Sequence, residues 1–133
     1  MFSRPKRDDI NHEENAQKKE YLIYEQHKVI LNSRGLVPVI LQELHTKEIL
    51  HLGFMNRWAL DISFSSKYVY LYRRSTGKIQ LFGESKNQVC NIKTAKLDRY
   101  SRSIMLQVLV TGKDPSEGIT LPTSSFVQDV KLI

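Results

Sequence analysis

Arg73, Arg74, Ser75, Lys78, Gly83 and Glu84 are the residues of this chain whose types and spacing best suit holding an anion. Two guanidinium groups, an ammonium and a hydroxyl crowd a short turn, and a carboxylate follows a permissive glycine. A basic, hydroxyl-bearing tip beside a carboxylate could hold a phosphorylated ligand, and the same residues equally suit an ordinary solvated turn. Other chemistry is sparse. His45 and His51 flank one hairpin, and His12 and His27 lie on or near the N-terminal segment. Neither pair has metal-ligand spacing, which suits surface or packing histidines. Cys90 is the single cysteine, so one chain can build neither an internal disulfide nor a cysteine-based zinc site. No Ser/His/Asp arrangement and no phosphate loop can be recognised.

The anion-holding residues need a hairpin to position them. Tyr68 to Glu84 reads as strand, tight turn and strand: Tyr68, Tyr70 and Tyr72 share one face, and Val69 and Leu71 the other. Ser75-Thr76-Gly77 carries the turn, and Ile79 and Leu81 resume the alternation. A row of tyrosines beside arginines could stack nucleic-acid bases, but such rows more often serve a core or a dimer interface.

Around this hairpin the pattern predicts a helix over residues 12–27, whose narrow apolar face would need a partner surface, and a short apolar run from Lys28 to Leu31. A β-branched strand follows over 36–43, with Pro38 near its start or an edge, and a return strand over 48–55. Asn56 is an N-cap for a helix from Arg57 to about Ser65, with Trp58/Ile62 and Leu60/Phe64 as two apolar flanks. Strands over 88–98 and 103–111 precede a loop at 113–118 and a weakly patterned end. The expected fold class is α+β: a mostly antiparallel twisted sheet with one internal helix and an N-terminal helix. The expected organisation is a polar extension (1–27), one domain (28–126) and a short tail (127–133).

With 133 residues the chain is the size of one domain, and 41% hydrophobic residues suffice for a core but not for a membrane protein. The N-terminus has neither a secretory apolar region nor an acid-free transit composition, which leads to a cytoplasmic expectation. The net charge of +6 resides in the body of the chain, because the first twenty residues hold five basic and five acidic side chains. Such an excess suits nucleic acid or a phosphorylated small molecule, or simply a basic surface.

The order of the pieces Gly35-Leu36-Val37-Pro38, Phe54-Met55-Asn56-Arg57-Trp58-Ala59-Leu60, Tyr72-Arg73-Arg74-Ser75, Gly83-Glu84 and Leu97-Asp98 resembles phosphoribosyl-AMP cyclohydrolase, over residues 28 to 126. That enzyme of histidine biosynthesis opens the adenine ring hydrolytically. The resemblance implies an intertwined homodimer with active sites shared between chains, and zinc and magnesium held by cysteines and aspartates. It marks Asn56, Arg57, Arg73, Arg74, Ser75, Gly83, Glu84 and Asp98 as ligand-binding positions, to which Arg99 and Arg102 add phosphate-binding charge.

The departures from the family pattern are chemical. The family's Asp-Cys-Asp-x-Asp segment falls on Asp98-Arg99-Tyr100-Ser101-Arg102, where only Asp98 remains. Its Cys-His-Thr-Gly-x-x-Ser-Cys segment falls on Gly118 to Ser125, with no cysteine at either thiolate position. The family's lysine is replaced by Phe82, its histidine by Gln88 and its glutamate by Trp58. Without thiolates zinc cannot be held to make hydroxide, and Gln88 has no imidazole to move protons. The expectation is therefore a non-catalytic relative with no metal or other cofactor. It would bind a nucleotide or sugar phosphate, or serve as a regulatory or partner subunit. The alternatives are a protein-interaction module, a nucleic-acid-binding module, and an active cyclohydrolase with unusual ligands.

Overall fold

The computed structural model describes residues 19–23, 27–120 and 122–132. Strand β1 (Lys19–Ile23) pairs antiparallel with β2 (His27–Leu31), from Lys19 against Leu31 to Ile23 against His27. This corrects the helix expected over 12–27: residues 19–23 and His27 are strand, and 1–18 and 24–26 lie outside the described residues. Tyr21, Leu22 and Ile23 favour a pleated, half-buried setting, and Val29 and Leu31 on the facing strand dock into the core. Strand pairing overrides a helix propensity that rested on the polar residues before them.

The main sheet is four-stranded, in the order β4-β3-β8-β7. β3 (Val37–Glu43) pairs antiparallel with β4 (Ile49–Met55), and β7 (Gln88–Leu97) antiparallel with β8 (Ile104–Gly112). β3 and β8 run parallel, with Val39 opposite Ile104 and Glu43 opposite Val108. Parallel neighbours need a crossover, and everything from β4 to β7 supplies it. Pro38 pairs with Phe54 of β4 and precedes the first β3–β8 pair, so its missing N–H falls where the second ladder has not begun.

Burial alternates strictly along β3 and β8, with Val37, Val39 and Leu41 facing Ile104, Leu106, Val108 and Val110 in one core. Helix α1 (Arg57–Ser66) closes that core with Ala59, Leu60 and Phe64. Burying each such large apolar side chain contributes about 1.5–3 kcal/mol. Asn56 caps α1 through an Ala59 N–H to Asn56 Oδ1 bond of 2.8 Å, and Lys67 ends it in the left-handed region with its N–H on the Ser63 carbonyl. Trp58, on the opposite flank, is exposed. Among the described residues no helix is long and apolar enough to cross a membrane.

The predicted central hairpin is β5 (Tyr70–Arg73) with β6 (Lys78–Leu81), closed by a Gly77 N–H to Arg73 carbonyl bond of 2.7 Å. Val69 and Leu71 are buried, and Tyr68, Tyr70 and Tyr72 lie on the more open face. The hairpin packs onto β4 at Gly53: a Cβ there would sit 2.7 Å from Leu71 Cδ1, so any other residue would have to displace the Leu71 side chain.

Candidate functional site

That close approach leaves a cleft of about 390 Å³ between β4, the β5–β6 hairpin and the turn after β6. β4 contributes His51, Gly53 and Phe54. The hairpin contributes Leu71, Tyr72, Arg73, Gln80 and Leu81, and the turn contributes Phe82, Gly83, Glu84 and Ser85. Gly83 has φ of 92°, and a Cβ there would lie 2.8 Å from the Gln88 carbonyl oxygen, so the turn requires glycine twice over. A short 3-10 turn, Glu84–Lys86, follows and delivers the chain into β7.

The polar groups of the cleft are lightly restrained. Arg73 donates to Gln80 Oε1 at 3.0 Å across the hairpin. Glu84 Oε2 lies 3.5 Å from Lys113 Nζ, with both side chains half exposed. An exposed pair of this kind contributes at most about 1 kcal/mol, so it leaves the carboxylate available to a ligand. The Arg74 guanidinium lies 4.2 Å from the centroid of Phe54, one of the cleft's aromatic walls. His51 stacks obliquely on Phe82, with ring centroids 4.8 Å apart. Burial lowers its pKa, so the imidazole is neutral at pH 7. Its Nδ1 is 3.0 Å from Ser125 Oγ, in a C-terminal segment pinned to β4 by the Ser125 N–H on the Leu50 carbonyl at 2.8 Å.

Of the ten residues marked from the sequence, Arg73, Gly83 and Glu84 line this cleft, and Arg74 and Ser75 belong to the hairpin turn beside it. Asn56 is occupied as the α1 cap, and Arg57 lies over the Trp58 ring at 4.8 Å. Asp98, Arg99 and Arg102 sit in the β7–β8 turn, at the far end of the ten-residue β7 from Gly83 and Glu84. At ~3.3 Å per residue that separation is roughly 30 Å. Asp98 Oδ1 accepts from the N–H groups of Arg102 (2.7 Å) and Ser103 (3.2 Å). The Arg102 amide, foremost, holds the Asp98 carboxyl below its ordinary pKa.

His51, Phe54, Tyr72 and Phe82 are cleft residues that sequence reasoning did not mark. His51 stands two residues before Gly53, and alternation puts both on one face of the strand, but nothing in the sequence says that this face lines a cleft.

No protein-family model matches the chain. It is 36% identical over 80 residues to the phosphoribosyl-AMP cyclohydrolase of Nitrosopumilus maritimus, covering 60% of this chain and 74% of that protein. This chain belongs to the phosphoribosyl-AMP cyclohydrolase family. It is also 32% identical over 84 residues to the phosphoribosyl-AMP cyclohydrolase of Prosthecochloris aestuarii, covering 63% of this chain and 61% of that one. To the histidine biosynthesis bifunctional protein HisIE of Staphylococcus aureus it is 35% identical over 80 residues, or 60% of this chain, and the match spans 38% of that longer protein.

The residues that the resemblance places at the family's metal positions do not fit zinc or magnesium. Ser125, at a thiolate position, meets His51 and the Leu50 carbonyl. Gln88, at the histidine position, donates from Nε2 to Thr120 Oγ1 at 3.1 Å. Cys90 faces the core, 3% exposed, where burial pushes its thiol up to about 12 and keeps it protonated at neutral pH. Among the described residues no three His, Cys, Asp or Glu side chains come together as a metal-binding group.

Proposed function

We propose that this member of the phosphoribosyl-AMP cyclohydrolase family binds a nucleotide or sugar phosphate in the cleft between β4 and the β5–β6 hairpin, without the family's hydrolytic step. The observation that carries this reading is the combination in one cleft of Arg73 and Glu84 with the rings of His51, Phe54, Tyr72 and Phe82. Guanidinium suits a phosphate, the rings suit a base, and a half-exposed carboxylate suits ribose or base donors. The absence of hydrolysis is supported by neutral, hydrogen-bonded side chains where the resemblance places the thiolate and the histidine: Ser125 on His51, and Gln88 on Thr120. Thermal denaturation against a panel of nucleoside monophosphates tests binding. Nucleotides raise Tm if the reading is right, and a flat response across the panel overturns it. Metal analysis of the purified protein tests the silence. Stoichiometric zinc together with turnover of phosphoribosyl-AMP would mean an active cyclohydrolase.

A second reading, a partner subunit or homodimer, is favoured by a specific pattern of exposure. Trp58 is 59% exposed where the family has glutamate, and Phe126, Val127, Val130 and Leu132 are 61% to 87% exposed. Large apolar side chains left open in this number suit a protein interface. A second copy would also supply the only route by which Asp98, Arg99 and Arg102 reach a site built around Glu84, given their separation along β7. Light scattering on the purified chain gives the mass. A monomer at high micromolar concentration rejects the homodimer, and Trp58→Glu weakens the dimer if this flank forms the interface.

A further inference from the structure

We infer that the end of β7 far from the cleft, with the β7–β8 and β2–β3 turns, forms a surface for single-stranded nucleic acid. Tyr100 is its base-stacking ring, and Lys93, Lys96, Arg99, Arg102 and Arg34 are its phosphate contacts. The surface lies apart from the cleft, and neither depends on the other.

From Lys93 to Arg102 every third residue is a cation, and Lys93, Lys96, Arg99 and Arg102 are all exposed. The span 85–113 holds a single acid, Asp98, whose carboxylate is drawn into the Arg102 and Ser103 amides. β3 and β8 run parallel from Val39 and Ile104, so the turn leading into β3 and the turn leading into β8 lie at one end of the sheet. The Ile30 N–H on the Ser101 carbonyl at 2.8 Å ties β2 to the second of these turns. Arg34, exposed in the β2–β3 turn, thus joins the other cations. Among the described residues none of these five side chains is held in an ion pair. The arginines of the β5–β6 hairpin differ: Arg73 is engaged by Gln80 and Arg74 by the Phe54 ring.

Cations alone would suit any polyanion, and Tyr100 narrows the choice. Its side chain is 65% exposed between Arg99 and Arg102. The Asp98 N–H on the Ser103 carbonyl at 3.1 Å and the Ser101 N–H on the Asp98 carbonyl at 3.0 Å fix the turn that presents it. An open ring flanked by guanidinium groups stacks on an unpaired base, whereas the bases of a duplex already have their faces covered. The outer edge of β7 gives the rest of the strand a path. Lys67 and Tyr68 reach only Ile92 and Asn91, and from Lys93 to Lys96 that edge is unpaired among the described residues. Stacking and phosphate contacts carry no base code, so binding is tolerant of sequence.

The test is fluorescence anisotropy of the full chain with labelled oligothymidylate and oligouridylate of about twelve nucleotides, from about 50 to 200 mM salt. Both strands bind, and affinity falls as about the −3.5 power of salt, at about 0.7 per phosphate contact. Tyr100→Ala weakens binding about tenfold and leaves that exponent alone, while Tyr100→Phe binds as the parent does. Arg99→Ala combined with Arg102→Ala brings the exponent to about −2. The Arg102 amide that Asp98 accepts is untouched in that variant, so its Tm is kept. Binding of only one of the two strands upholds the surface and assigns its sugar. No binding of either strand at about 50 mM salt overturns the inference, as does a duplex bound as tightly as the single strands. A Tyr100→Ala variant that binds as the parent does also overturns it, leaving a surface for any polyanion.

Discussion

The two turns at the ends of β7 handle their carboxylates in opposite ways. Before β7, the turn from Gly83 to Gln88 closes on backbone alone: Lys86 and Gln88 N–H groups donate to the Gly83 carbonyl, and that of Asn87 to the Glu84 carbonyl. The Glu84 side chain is not needed to hold the chain and is left on the cleft. After β7, backbone bonds also close the turn (Asp98 N–H to the Ser103 carbonyl at 3.1 Å, Ser101 N–H to the Asp98 carbonyl at 3.0 Å), but there the Asp98 side chain is drawn in as well, accepting the amides of Arg102 and Ser103. Both carboxylates match family motif positions, yet only Glu84 is free for a ligand. A matching residue type at a motif position therefore does not establish a binding role. What decides it is whether the local turn draws that side chain into its own hydrogen bonds.

The contrast breaks most sharply at Gly83. Alanine there would be forced to φ of 92° and would bring its Cβ to 2.8 Å from the Gln88 carbonyl. The backbone conformation alone costs about 1–3 kcal/mol, before the contact with Gln88 is relieved. Gly83→Ala should lower the midpoint of chemical denaturation accordingly and abolish any nucleotide-induced rise in Tm, since the cleft loses its Glu84 wall. An unchanged midpoint would mean that the turn is not held as described.

A smaller effect, of a different kind, is expected at Asp98. Its pKa is lowered in the folded chain, chiefly by the Arg102 amide, so its contribution to stability is present above the unfolded pKa. That contribution is lost as pH falls through the lowered folded value. Asp98→Asn should therefore be less stable than the parent at neutral pH, and the two should converge as pH drops below about 4. Nucleotide affinity of a monomer should not change. A loss of affinity at neutral pH without loss of stability would instead return Asp98 to the binding site, by way of a second chain.

Much of this was legible beforehand, and the misses have physical causes. Alternation located β3, β8 and the β5–β6 hairpin, because each buries one face and only one register does so. The Asn56 cap was legible because the cap chemistry is local. The strand at Lys19–Ile23 was not, since its pairing with β2 is a tertiary choice that a propensity reading cannot see. The parallel β3–β8 pair was hidden for the same reason. Within the site, Arg73, Gly83 and Glu84 could be read from the turn chemistry. His51 could not, because its partner Ser125 is 74 residues away and only the fold brings them together.

The smallest expected effect sharpens the comparison from the other turn. Where the first turn puts glycine at the first of its two left-handed residues, Gly83 and Asn87, the second turn uses Ser101, a non-glycine at φ of 60°. An L-residue there costs about 1–2 kcal/mol, and glycine returns about 0.5–1 kcal/mol of that through the flexibility of the unfolded chain. Ser101→Gly should thus stabilise the protein by about 0.5 kcal/mol, read as a small rise in the denaturation midpoint. The Ser101 carbonyl would still accept the Ile30 N–H at 2.8 Å, so the seat of β2 on this turn is kept. A loss of stability in this variant would show that the Ser101 side chain holds the turn alongside Asp98. The turn would then draw on two side chains rather than one, where the turn at Gly83 draws on none.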